Sequence, residues 1–230
     1  MGTIGQNAIE KKDRGREVPG GGKKMTHKEI IKSISFNQEE IIKSILKLHS
    51  LEGKIDVDPT YSKGVFYKGE IEDPQYKFDI NPKRLDVIKS CATALPLDDC
   101  SVNTVMFDPP FLATKGPSLK RNDKNNIINK RFSVFPNEKE LMAFYQNALK
   151  EFYRVTKKNG IVIFKCQDKV SSGKQYFLHC WIQQEAEKIG FYSKDLFVLL
   201  AKSRVIANWQ RKNQRHARKF HSYFWVFQKK

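Results

Sequence analysis

The tetrapeptide Asp108-Pro109-Pro110-Phe111 places hydrogen-bond acceptors, a stiff corner and an aromatic ring in consecutive positions. An exocyclic amine of adenine, cytosine or guanine is a poor nucleophile, because its lone pair is delocalised into the ring. Two acceptors on its hydrogens draw the nitrogen toward tetrahedral geometry and free that pair. Where water is excluded, such preorganised positioning is worth several kcal/mol. The Asp108 carboxylate and the Pro109 carbonyl are the candidate acceptors. Phe111 is a candidate plate for a base swung out of its helix. Pro109 and Pro110 donate no backbone N–H, and Pro110 biases Pro109 toward an extended conformation, so the corner is stiff. The same residues also suit a plain surface loop, with Asp108 capping a turn and Phe111 filling the core.

Elements that must hold this corner are readable around it. Val102-Asn103-Thr104-Val105-Met106-Phe107 predicts a strand that the prolines end. Lys54 to Asp58 predicts an earlier strand, followed by the turn-rich Pro59-Thr60-Tyr61-Ser62-Lys63-Gly64 with one permissive glycine. Asp79, 21 positions after Asp58, ends a further strand over Tyr76 to Ile80. An acid about 20 residues beyond the first loop is where a nucleotide-binding α/β sheet reaches ribose hydroxyls.

From about residue 37 to 230, this order resembles the class I S-adenosylmethionine-dependent methyltransferases, and within them the amino-group methyltransferases of nucleic acids. In that family the first strand ends in an acid and a loop of the form Asp-Pro-aromatic-Cys-Gly-Ser-Gly; here Asp58-Pro59-Thr60-Tyr61-Ser62-Lys63-Gly64 stands in its place. Ser62 replaces the first glycine, and no carboxylate lies near Cys91-Ala92-Thr93, where the family carries a residue for the adenine. The resemblance implies S-adenosyl-L-methionine as cofactor, with Asp58, Pro59, Thr60, Tyr61, Ser62 and Gly64 at its methionine end and Asp79 on its ribose. It implies Asp108, Pro109, Pro110 and Phe111 as the catalytic set. The fold it implies is α/β and Rossmann-like: a mostly parallel seven-stranded sheet, an antiparallel C-terminal hairpin, and helices on both faces.

Downstream residues fit that sheet. Leu141, Phe144, Tyr145, Ala148, Leu149, Phe152 and Val155 recur at spacings of three and four, predicting a helix over residues 137–158 that Asn159 and a left-handed Gly160 stop. Ile161 to Phe164 reads as a buried strand whose polar tip, Lys165-Cys166-Gln167-Asp168, opens onto the same crevice. A second helix is predicted from Gln175 to Ile189, closed by Gly190; His179 and Trp181 in it are expected to pack. Phe197 to Leu200 and Tyr223 to Phe227 predict the closing antiparallel pair. Near the start, Asn37 is the expected cap of a helix carrying Ile41, Ile42, Ile45 and Leu46, with Glu40 reaching back.

A formal net charge of +17 on 230 residues predicts attraction to a polyanion with steep salt dependence. DNA is the expected partner, with RNA as the alternative. Basic stretches lie in expected loops at about 112–136 and 202–220. Lys115, Lys120, Arg121, Arg204, Arg211, Lys212, Arg215 and Arg218 are the candidate phosphate contacts. Residues 1–25 carry six Lys or Arg with almost no apolar pattern and read as a flexible basic tail, leaving 26–230 as a single domain. Cys91, Cys100, Cys166 and Cys180 are scattered, and none of the five histidines pairs with them at ligand spacing, so no metal is expected. No apolar run approaches a membrane span, and the start resembles neither a secretory signal nor a myristoylation motif, which suits a cytoplasmic protein. Oligomeric state is not readable.

The favoured expectation is therefore methylation of a base amine, first N6 of adenine in DNA. Methylation of RNA at guanine N2 or adenine N6, or a catalytically silent nucleic-acid-binding module on the same fold, are the alternatives. A nicotinamide-dependent oxidoreductase is disfavoured by the absence of a Gly-x-Gly-x-x-Gly loop.

Overall fold

A computed structural model describes residues 30–111, 113, 135–171, 173–203, 212 and 214–230, and Lys32–Lys230 form one compact unit. The predicted tail at 1–25 lies outside the described residues, as do Lys115, Lys120, Arg121, Arg204 and Arg211.

Ten strands and three helices alternate along the described chain. They are β1 (Ile34–Ser35), α1 (Gln38–His49), β2 (Val57–Asp58), β3 (Tyr76–Asp79), β4 (Ile88–Lys89), β5 (Val102–Phe107), α2 (Glu138–Val155), β6 (Thr156–Cys166), β7 (Lys169–Ser171), β8 (Lys174–Tyr176), α3 (Leu178–Ile189), β9 (Phe191–Leu200) and β10 (His221–Lys229). A short 3₁₀ turn, Val65–Tyr67, follows β2. The main sheet runs β1-β9-β10-β6-β5-β2-β3-β4, and β7-β8 form a separate antiparallel hairpin. Strands β2 to β6 pair in parallel, whereas β10 is antiparallel to both β6 and β9. Seven of these strands are the expected Rossmann-like set with its closing hairpin. The eighth, β1, adds two residues in parallel to β9 at the edge.

Alternation along the strands separates two cores. Val105, Phe107, Val162, Phe164 and Cys166 point into a cluster with Leu141, Tyr145, Leu149 and Phe152 of α2 and Ile182 of α3. Met106, Ile163, Phe224 and Val226 occupy the alternate positions and are equally buried, as is the Ile41, Ile42, Ile45 and Leu46 stripe of α1. Helices thus cover both faces.

Several local expectations are corrected. Asn37 does cap α1, accepting from the Glu39 N–H at 2.9 Å, but Glu40 turns to the Ser35 hydroxyl instead of reaching back. α2 ends at Val155, because Thr156 already pairs with Val102 in the sheet. Asn159, at φ 66, takes the left-handed position expected of Gly160. Gly160 serves packing: a Cβ there would sit 2.8 Å from the Asn103 carbonyl oxygen. Residues Gln175 and Tyr176 belong to the β7-β8 hairpin, so α3 starts only at Leu178, while Gly190 closes it at φ 116 as expected.

Candidate active site

Asp58, Asp79 and Asp108 end the neighbouring strands β2, β3 and β5 at one edge of the sheet. From β2 the chain proceeds outward to β3 and β4, then returns across to β5 and β6. The gap between β2 and β5 is the point where strand order reverses, the usual crevice for ligands in open α/β sheets. Thr60 stitches this gap together. Its hydroxyl donates to Asp58 Oδ1 at 3.1 Å and accepts from the Asp108 N–H at 3.0 Å.

Three elements hold the backbone of the proline corner. Besides the bond from Asp108 to Thr60, the Pro110 carbonyl accepts from the Tyr145 hydroxyl of α2 at 2.7 Å. The Phe111 carbonyl accepts from Lys169 Nζ of β7 at 2.9 Å, and Lys169 is also paired with Glu138 at 2.6 Å. The Pro109 carbonyl takes part in none of these three bonds. The Asp108 side chain is 25% exposed, yet its two oxygens differ. Oδ2 faces Lys165 Nζ at 3.2 Å, whereas Oδ1 is buried with no hydrogen-bond partner among the described residues. Burial pushes the Asp108 carboxyl above the usual carboxylate range, and Lys165 opposes that rise. Phe111 is half-buried beside it.

Asp58 is 0% exposed and meets neutral donors: the Thr60 N–H at 2.7 Å, the Thr60 hydroxyl, and the Tyr67 hydroxyl at 2.8 Å. Among the described residues no cation pairs with it. Burial pushes its carboxyl up to about 7 despite these bonds, and the nearby Asp108 charge adds to the rise. A buried carboxylate with only neutral partners is a favourable place for a cationic ligand group.

The loop after Asp58 is tied to β3. Asp79 Oδ2 accepts from the Ser62 N–H at 3.0 Å, and its Oδ1 from the Asn81 N–H at 2.7 Å. Ser62 adopts φ 51, so the residue standing where the family pattern has glycine keeps a left-handed backbone. Gly64, at φ 67, packs directly under Tyr61. Tyr61 itself turns inward: its hydroxyl donates to Asp73 at 2.7 Å and receives Arg84 at 3.2 Å, and its ring stacks on Tyr67. Pro59 is buried at the start of the loop.

One surface feature and one partner are not legible in the sequence. Ile80 is 59% exposed immediately after Asp79, an apolar surface where a flat ring could lie; only its exposure, invisible in sequence, marks it. Lys165 lies at the crevice, as expected of the strand tip, but its partner Asp108 follows only from the alignment of β5 and β6 through Phe107 and Phe164. Asp168, expected at the crevice, is instead buried. It accepts from the His179 N–H at 3.2 Å and from His179 Nδ1 at 2.7 Å, because α3 begins without a side-chain cap of its own and needs an acceptor there. Trp181 packs on the core, and His179 stacks on Tyr223 at 4.2 Å.

Of the candidate phosphate contacts within the described residues, Lys212 and Arg215 are exposed and Arg218 is half-buried. Their segment meets the β7-β8 hairpin, where His216 Nε2 approaches the Gly173 carbonyl oxygen at 3.2 Å. Since Lys169 of that hairpin holds Phe111, the basic segment and the proline corner are joined through one small element. No group of three potential metal ligands occurs among the described residues, and none of their helices is long and apolar enough to cross a membrane.

No protein-family model and no curated protein matches the chain. Solved structures do. A Thermus thermophilus protein provisionally named a DNA modification methylase, complexed with S-adenosyl-L-methionine, is 14% identical, with 58% of this chain and 48% of that chain covered and a TM-score of 0.35. The cytosine-N4-specific PvuII DNA methyltransferase is 12% identical over 60% of this chain and 54% of its own, at a TM-score of 0.36. An S-adenosylmethionine-dependent methyltransferase from Thermotoga maritima is 16% identical over 76% and 82%, at 0.42. The chain spans about half the length of the first of these.

Proposed function

We propose that this chain transfers a methyl group from S-adenosylmethionine to an exocyclic amine of a nucleic-acid base, with N6 of adenine in DNA as the first substrate. One observation carries the reading: among the described residues, Asp108 Oδ1 is buried and unpartnered on a corner that Thr60 joins to the buried carboxylate of Asp58, which no cation meets. A buried acceptor without a donor is costly unless a ligand supplies one.

The residues fit the cofactor. Asp58 would meet its positive charge, Asp79 its ribose hydroxyls, Ile80 its flat ring, and the Pro59 to Gly64 backbone its methionine end. When bound, it supplies a methyl carbon made electrophilic by an adjacent sulfonium. Asp108 Oδ1 and the Pro109 carbonyl accept the two hydrogens of the amine, and Phe111 lies against the base. Held by these acceptors, the amine would take up the methyl group in exchange for the carbon–sulfur bond and would then release one proton to solvent water. Lys212, Arg215 and Arg218, with the basic residues outside the described region, would hold phosphates on either side.

The test is incubation with methyl-labelled S-adenosylmethionine and either duplex DNA or structured RNA, followed by digestion to nucleosides and mass spectrometry. Label on N6 of deoxyadenosine is expected. Label on guanosine N2 or adenosine N6 from RNA would move the substrate to RNA. Salt-dependent nucleic-acid binding with no label and no cofactor affinity would identify a silent binding module instead.

A further inference from the structure

Lys165 occupies an unusual position for a long cation. Its side chain is only 13% exposed, and Nζ lies 3.2 Å from Asp108 Oδ2 and 2.9 Å from Gln38 Oε1 of α1. The ammonium also sits over the rings of Phe66, at 5.0 Å, and Phe224, at 5.6 Å. Four segments, β5, α1, the 3₁₀ turn and β10, thus build one socket for it. Two aromatic faces and two oxygens hold a cation well in a partly dry site.

The socket divides the labour of the Asp108 carboxylate. With Oδ2 engaged by Lys165, Oδ1 is the oxygen left over, and it is the buried one without a partner among the described residues. We propose that Lys165 is a positioning residue, whose ammonium claims Oδ2, so that Oδ1 serves as the fixed acceptor for the substrate amine. This rests on the methyl-transfer reading of the corner. The other titratable groups facing Asp108 cannot take over this role. Asp58 across Thr60 repels charge on Asp108, and Tyr145 of α2 spends its hydroxyl on the Pro110 carbonyl. The Lys169–Glu138 pair is committed to the Phe111 carbonyl and to itself. Lys165 is thus the one cation bonded to the Asp108 carboxylate among the described residues.

The test combines a property of the free protein with one of turnover. In carboxyl-¹³C NMR, with Asp108→Asn to assign the signal, Lys165→Met should raise the Asp108 midpoint by roughly one pH unit or more, whereas Lys165→Arg should keep it near wild type. In the wild-type protein, titrating Asp108 should move the ¹⁵N resonance of the Lys165 ammonium, a check that needs no variant to fold. The acid limb of the methylation rate should shift to higher pH in Lys165→Met by the same amount, with kcat affected more than the KM for nucleic acid. An Asp108 midpoint indifferent to Lys165, together with an uncoupled ammonium signal, would overturn the inference even if the wild type methylates. Coupled titration in a protein that methylates nothing would uphold the electrostatic pairing and remove its catalytic purpose, so the inference as stated would fall with the methyl-transfer reading.

Discussion

Asp58 and Asp108 stand at the tips of adjacent strands, share the Thr60 hydroxyl, and solve the burial of a carboxylate in opposite ways. Among the described residues, Asp108 has a cation on one oxygen and no partner on the other. Asp58 has three neutral hydrogen bonds and, among the described residues, no cation. The contrast teaches that residue type alone does not assign a role. An acid with a cation on one oxygen and the other spare suits a neutral donor such as an amine; an acid starved of positive charge suits a cationic ligand. Their backbones differ as well: the corner at Asp108 is held by bonds from three elements, while the loop after Asp58 depends on two left-handed residues, Ser62 and Gly64.

The largest effect should come from the corner. Asp108→Asn keeps shape but replaces an acceptor by a donor, and methylation should fall by about 10²–10³-fold or more, read as labelled nucleoside per minute. Near-normal turnover would remove Asp108 from the chemistry. Asp58 should respond to pH instead. Because its carboxyl is held at about 7, it is largely protonated below that pH, so affinity for cationic S-adenosylmethionine should rise with pH up to about 7 and then level off. Calorimetry should show this slope, up to about tenfold per pH unit, in the wild type and a flat, weak profile in Asp58→Asn.

The same shift has a stability consequence of definite sign. The folded value lies above the ordinary 3.8, so the stabilisation is complete below about pH 4 and is lost as pH rises through about 7. A rise of that size corresponds to at most roughly 4 kcal/mol. Denaturant titrations across this range should show Asp58→Asn flattening the decline. A difference in pH slope between variant and wild type of zero would mean that Asp58 is not held protonated.

Smaller effects sharpen the contrast between the backbones. Gly64→Ala forces a side chain into a left-handed position against the Tyr61 hydroxyl, and should cost about 1–3 kcal/mol in denaturant unfolding. Tyr145→Phe removes one of three bonds to the corner, and should cost about 1 kcal/mol with a several-fold loss in turnover at unchanged cofactor affinity.

The strand ends were legible in sequence because prolines and glycines punctuate them. Val102 to Phe107 is a strand between the expected bounds, and the apolar stripe of α2 faces the core as its spacing predicts. What sequence could not supply is what depends on pairing across the sheet. Lys165 finds Asp108 only through the β5-β6 register, and Asp168 leaves the crevice because an uncapped helix 10 residues on needs an acceptor. Short strands misled in a different way: β2 retains only Val57 and Asp58, yet the Asp56 N–H still bonds to Thr104 just before it. The left-handed site at Asn159 shows the same limit, since the choice between adjacent Asn and Gly was made by the close approach of the Asn103 carbonyl.

The division between the two carboxylates is tested most directly by measuring S-adenosylmethionine affinity at pH 8 in the wild type, Asp58→Asn and Asp108→Asn side by side. Tight binding is expected in the wild type, with binding within a few-fold of it in Asp108→Asn and a loss of about tenfold or more in Asp58→Asn. Equal affinities in all three, or no binding by the wild type, would contradict it.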